Sequence, residues 1–132
     1  MIVSLEVCDV KYVYGVKVLT APNETYCRAV EQLVIDAINE NMESWGLTRP
    51  ITFEDLKGKS HRRVFVNARH MIVLFWRDWA KLSFPIIGEK LNRDHTTAMA
   101  SYKRGHDLAR YPSPFKGVYN SVYSALANMV AP

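Results

Sequence analysis

The 132 residues include two cysteines, Cys8 and Cys27, which form no CxxC pair and no metal-ligand pattern. That excludes a zinc ribbon or a dithiol redox motif and predicts reduced thiols in an intracellular protein. The four histidines, His61, His70, His95 and His106, are spread out with no cysteine beside them, so no metal site is expected. No apolar run approaches the roughly 18 residues that cross a bilayer, so no membrane association is expected. The first ten positions carry Glu6 and Asp9 and no lysine or arginine, so the basic start of a secretory signal is missing. No GxxxxGK[ST] occurs, because Gly58-Lys59-Ser60 lacks the upstream glycine and strand, and no bound nucleotide or other cofactor is expected. Asp94-His95 has no nucleophile at a useful spacing, and neighbours in sequence point different ways on a helix, so catalysis is not expected. Internal repeats and low-complexity stretches are also missing.

What is present is a core-forming composition and a segregated charge. Apolar residues make up 48% of the chain, with three Trp, five Phe and seven Tyr, enough for one packed domain. The net charge of +4 hides an asymmetry. Residues 1–56 hold four Lys/Arg against nine acids, whereas residues 57–110 hold twelve against four. Lys57, Lys59, Arg62, Arg63 and Arg69 crowd into one short span of that basic block, the footprint expected of phosphate binding.

Periodicity places the elements. Residues 2–20 alternate valines and tyrosines with polar residues, which predicts a short hairpin turning at Gly15. An isolated hairpin is marginal in water, so this one must pack on the helices or pair with another chain. Asn23 is a good N-cap for a helix of about 22 residues ending at Gly46, with an acidic exposed face of Glu31, Asp36, Glu40 and Glu43. Thr52 and Asp55 have capping-box spacing before a single helical turn. An apolar helix follows from Val64 or Asn67 to Leu82, with Ala68, Met71, Ile72, Phe75, Trp76 and Trp79 in its core stripe. Ser83 caps the next short helix, with Pro85 in its first turn, and Asn92 makes a turn into a helix running to about His106. Pro112-Ser113-Pro114 breaks the chain before a last amphipathic helix. Two short helices across a tight turn, braced by a long apolar one, are the helix-turn-helix arrangement.

Arg93-Asp94-His95-Thr96-Thr97 opens the second of those helices, where major-groove readers make their base contacts. Arg93 can donate twice to guanine, Asp94 can accept from cytosine, and His95 can do either. The Thr96 and Thr97 methyls can pack on a thymine methyl, or their hydroxyls can bond phosphate. The plainer alternative makes Asp94 a helix N-cap and the rest a polar first turn.

Residues 51–105 resemble the C-terminal DNA-binding domain of the bacterial replication initiator DnaA. The resemblance rests on an ordered set: the basic loop Lys57–Arg63, Ala68-Arg69, the segment Ser83-Phe84-Pro85-Ile86-Ile87-Gly88, and Asn92-Arg93-Asp94-His95-Thr96-Thr97. It implies a mainly α fold of the TrpR-like helix-turn-helix type, assigned to residues 23–132, while the hairpin-like residues 1–22 lie outside the resemblance as a short β extension. It also implies double-stranded DNA as partner, at an asymmetric DnaA box of the TTATNCACA type. In the family the positions of Arg93, Asp94, His95 and Thr96 read base edges, and that of Thr97 holds phosphate. Phe84-Pro85 lies near the backbone and a thymine methyl. The basic loop reaches the minor groove, and Arg69 and neighbouring basic residues hold the backbone. Lys59, Arg62, Arg63 and Arg104 complete the expected surface.

The departures are specific. The minor-groove arginine aligns with His61, which either shifts that role toward Arg62 or weakens it. Leu91-Asn92 replaces Phe-Gly-Gly, shortening the turn by one residue. Ala98-Met99-Ala100 replaces Val-Leu-His. With no phosphate-binding loop, the chain reads as a stand-alone cytoplasmic, nucleoid-associated protein: a regulator of replication or transcription, a competitor for initiator sites, or a phage- or plasmid-type accessory factor. The competing reading keeps the helix-turn-helix as scaffold and gives the main role to a protein partner, or self-association, through residues 1–20.

Overall fold

A computed structural model describes the backbone of residues 10–13, 16–19 and 24–130, and the side chains of 26–128. Cys8, the turn at Gly15 and the N-cap position Asn23 lie outside the described residues. Strands β1 (Val10–Val13) and β2 (Val16–Leu19) pair antiparallel, with Val10 opposite Leu19 and Val13 opposite Val16. Among the described residues seven helices follow: α1 (Glu24–Asn39), α2 (Met42–Trp45), α3 (Phe53–Lys57), α4 (Arg63–Asp78), α5 (Phe84–Lys90), α6 (His95–Leu108) and α7 (Pro114–Val130). The fold is mainly α, as the periodicity predicts.

Helix α4 is the axis of the domain. Its buried apolar residues, Val64, Phe65, Ala68, Met71, Ile72, Val73, Leu74, Phe75 and Trp76, wrap most of the cylinder, while Val66, His70 and Arg77 on the remaining side are only partly buried. An apolar face this wide needs partners on more than one flank. Helices α1 and α7 cover one flank with Val30, Val34, Ile38, Val118, Val122 and Leu126, while α5 and α6 cover another with Ile87 and Ala98. Trp76 reaches across and donates its indole N–H to the Cys27 carbonyl at 3.1 Å.

The expected 22-residue first helix is two helices. The chain leaves the helical path at Asn41 (φ −122°, ψ 35°), whose side chain instead donates to the Ala37 carbonyl at 2.7 Å. Asparagine competes with the helix for its own backbone in this way. Asn39 then pins the later connection, donating to and accepting from the Ile51 backbone at 3.1 and 2.8 Å. Gly46 closes α2 in the left-handed region (φ 73°) as its position predicted, and the Thr52–Asp55 capping box is formed in both directions. Helix α4 ends at Asp78, four residues short of Leu82, because Lys81 turns left-handed (φ 60°) and no helix continues through it.

Candidate nucleic-acid interface

Helices α5 and α6 are joined through a tight corner that Gly88 and Asn92 make possible. Asn92 takes the left-handed conformation (φ 57°), which asparagine tolerates better than most residues. The chain then folds back so that the Arg93 N–H donates to the Gly88 carbonyl at 2.8 Å. A Cβ at Gly88 would stand 2.5 Å from the Arg93 carbonyl oxygen and 2.9 Å from that of Asp94. Pro85 lies at the start of α5 as expected, whereas Ser83 occupies the N-cap position without a side-chain hydrogen bond.

Asp94 is the N-cap of α6. Its Oδ1 accepts from the Thr97 N–H at 2.8 Å and from the Thr96 hydroxyl at 2.7 Å. The Thr97 backbone bond first, and then the Thr96 and Thr97 side chains, hold the carboxyl down to about 2. Asp94 is therefore ionised at neutral pH, and it is exposed, so capping the helix does not bury its carboxylate. His95, Thr96 and Thr97 are all exposed in the first turn. Farther along, Met99, Ala100, Lys103 and Arg104 are exposed, while Ala98 and Gly105 face inward. Gly105 lies so close to α4 that a Cβ would meet Leu74 Cγ at 2.8 Å and the His70 carbonyl at 3.1 Å.

The two arginines flanking this motif behave differently from the outer ones. Arg69 is buried, 6% exposed, and its guanidinium donates to the carbonyls of Leu56 (2.7 Å), Ser60 (2.8 Å) and Gly58 (3.0 Å). Burial first, then the nearby Arg93 charge, lowers its proton affinity. Arg93 is partly buried and donates to Leu91 O (2.7 Å), Gly58 O (2.6 Å) and, more weakly, Lys57 O (3.4 Å). Asn92 adds a bond to Lys57 O at 3.4 Å. These bonds dock the basic loop against the mouth of α6. They also turn the Arg69 head away from solvent and occupy three of the Arg93 donors.

Lys59, His61, Arg62 and Arg63 remain exposed on the docked loop and the first turn of α4. Arg62 stands at the N-cap position without a side-chain cap and stacks over the Phe65 ring at 5.5 Å. Two cations at a helix N-terminus oppose its dipole, an arrangement that stability alone does not favour. Ion pairs among the described residues include Arg49–Asp55, Lys57–Glu54 and His106–Asp78, and Lys59, Arg62, Arg63 and Arg104 form none there.

On the other side of α6, Pro85 is exposed and Phe84 is half-buried, edge-on to Tyr102 and beneath Arg77 at 4.4 Å. The Tyr102 hydroxyl donates to Asp78 at 2.6 Å, which pushes the phenol up to about 12. His106 Nε2 lies 3.4 Å from the other Asp78 oxygen, so one carboxylate at the end of α4 holds two residues of α6. Sequence reading missed this brace, and it missed Met99 as a surface residue. Met99 follows the buried Ala98 by one position, which turns it a hundred degrees off the inward stripe. That offset was its only signal in the sequence.

Residues 49–104 match the family described as bacterial dnaA protein helix-turn-helix. Chromosomal replication initiator protein DnaA of Gloeothece citriformis is 41% identical over 64 residues, which is 48% of this chain and 14% of that protein. The DnaA of Clavibacter sepedonicus is 33% identical over 89 residues, 67% of this chain and 17% of its own length. That of Picosynechococcus is 44% identical over 52 residues, 39% of this chain and 12% of the relative. The chain thus covers less than a fifth of each of these relatives. No solved structure matches it significantly. Among the described residues no helix is long and apolar enough to cross a membrane, and no group of His, Cys, Asp and Glu is placed to hold a metal ion.

Proposed function

With residues 49–104 forming a DnaA-type helix-turn-helix, a DNA-binding domain, we propose that this chain binds double-stranded DNA at a DnaA-box-like sequence and acts there as a regulator of replication or transcription. Helix α6 enters the major groove with Asp94, His95 and Thr96 toward base edges and Thr97 toward a phosphate. The loop bearing Lys59, His61, Arg62 and Arg63 lies on the adjacent backbone, with Arg62 the side chain for the minor groove. Phe84 and Pro85 flank the groove wall, and Arg104 holds phosphate farther along.

The observation that carries this reading is the docking of the loop on α4 through Arg69 and on the mouth of α6 through Arg93. It fixes a cationic loop beside a reading helix, so phosphate binding and base reading share one rigid frame. A phosphate at the start of α4 would also meet the positive end of that helix's dipole, which the two arginines alone oppose. Arg69 then acts through the loop, by shape, and Arg93 both docks the loop and offers its remaining donors to a base.

The test is fluorescence anisotropy on a duplex carrying the TTATNCACA-type box and on a scrambled duplex, at two salt concentrations. The proposal expects the box to bind about tenfold or more tightly at the higher salt. Equal and steeply salt-dependent binding of both duplexes would reject base reading and leave a backbone binder.

A further inference from the structure

Helix α6 exposes one large apolar side chain. Met99 is 49% exposed, and the other large hydrophobics exposed among the described residues, Tyr111 and Tyr123, lie outside α6. A lone surface methionine would need no explanation elsewhere. Its position here is what matters. Met99 follows His95 by four residues and Thr96 by three, so it stands above them on the same side of the helix. Lys103 repeats the spacing one turn later, and Ala100 lies beside it.

Reach separates these residues. Ala100 has no side chain beyond Cβ. Lys103 and Arg104 are long but charged, and such groups go to phosphates along a groove wall. The Thr96 hydroxyl is already given to Asp94 at 2.7 Å. Met99 alone on this face combines length with an apolar end, and its unbranched thioether can adapt to a contact. The apolar feature of a major groove is the thymine C5-methyl. Three to four residues of helix rise about 5 Å, roughly one to two base steps.

We propose that Met99 is a specificity-determining residue that reads a thymine methyl, one to two base pairs beyond those facing His95 and Thr96. This rests on α6 entering the major groove, as argued above, and adds one base to what it reads.

The experiment is an unbiased selection of duplexes by the wild-type chain, followed by replacement of each selected thymine with deoxyuridine, which removes only the methyl. Wild type and Met99→Ala are measured on the whole series. The inference expects one position where deoxyuridine weakens wild-type binding about threefold to tenfold and leaves Met99→Ala unaffected. Met99→Leu should keep part of the preference. A selected consensus with identical deoxyuridine profiles for wild type and Met99→Ala would overturn the inference while leaving sequence reading intact. If the selection yields no consensus at all, both readings fail together. Met99 is half-exposed on a helix that stays packed through Ala98 and Gly105, so its truncation leaves the fold in place, and an unchanged circular dichroism melt checks this.

Discussion

Arg69 on α4 and Arg93 at the mouth of α6 donate to one oxygen, the Gly58 carbonyl, at 3.0 and 2.6 Å. Two guanidiniums meeting at one carbonyl repel each other, and the depressed proton affinity of Arg69 records that repulsion beneath the larger effect of burial. The arrangement persists because a carbonyl has two lone pairs and because each arginine has further acceptors within reach. Its consequence is mechanical. The loop from Lys57 to Ser60 is tied to two helices at once.

Arg69→Met should destabilise the domain by about 2–4 kcal/mol, since three buried or half-buried carbonyls lose a charged donor. Arg69→Lys should recover only part of that, because an ammonium cannot span three carbonyls as a planar fork does. Urea denaturation of the three proteins measures it. A Lys variant as stable as wild type would show that charge, not the fork, holds the loop.

Arg93→Ala should weaken binding to the box by about 1–3 kcal/mol and also speed amide exchange of residues 57–61 in the free protein. A side chain that only reads a base would produce the first effect without the second. Hydrogen exchange with and without the box duplex separates the two contributions.

Arg63→Ala should leave the free domain no less stable, because it removes a cation from the unfavourable end of α4. It should weaken box and scrambled duplexes alike and flatten the slope of log affinity against log salt by about one. A loss confined to the box sequence would instead make Arg63 a base contact.

Local chemistry made much of this legible. The Thr52–Asp55 capping box, the Gly46 helix end, the Pro85 start and the Asn92 corner depend on residues within a few positions, and the structure has them where the sequence predicts. The break at Asn41 and the early end of α4 were not legible, since helical periodicity continues through both and only side-chain competition and a left-handed Lys81 decide against it. The inward turn of Arg69 and Arg93 was also hidden. Its acceptors lie 9 to 13 residues from Arg69, and up to 36 from Arg93. A sequence names an arginine but does not say which way its head points.

His70 gives a pH dependence with a definite sign. It lies on α4 under Gly105, and its Nδ1 is buried with no hydrogen-bond partner among the described residues. Burial first, then the Arg104 and Arg69 charges, lowers its pKa from about 6.5 to about 4. Between those values the unfolded chain binds a proton that the folded chain refuses, so stability falls as pH drops from about 6.5 to about 4. The loss should be about 1–3 kcal/mol. His70→Gln should flatten it. Denaturation midpoints at pH 7 and pH 5 that fall equally in both proteins would assign the effect to other groups.

Gly88→Ala tests whether the corner itself is what presents α6. The glycine is in α5, where alanine would ordinarily favour the helix by up to about 1 kcal/mol. Here the added methyl would meet two backbone oxygens, those of Arg93 at 2.5 Å and Asp94 at 2.9 Å, and neither can swing aside as a side-chain tip could. The Arg93 N–H bond to the Gly88 carbonyl at 2.8 Å holds those atoms where they are. Relief requires α5 and the start of α6 to separate, which moves Arg93 off Gly58. The expected cost is about 1–3 kcal/mol of stability, in the range of overpacking. DNA affinity should fall further than stability does, because a displaced α6 no longer shares a frame with the loop. Thermal denaturation and box-duplex anisotropy on the same preparation measure both. A variant that keeps wild-type affinity at reduced stability would mean that α6 holds its course through the Tyr102 and His106 brace on Asp78, and not through the corner.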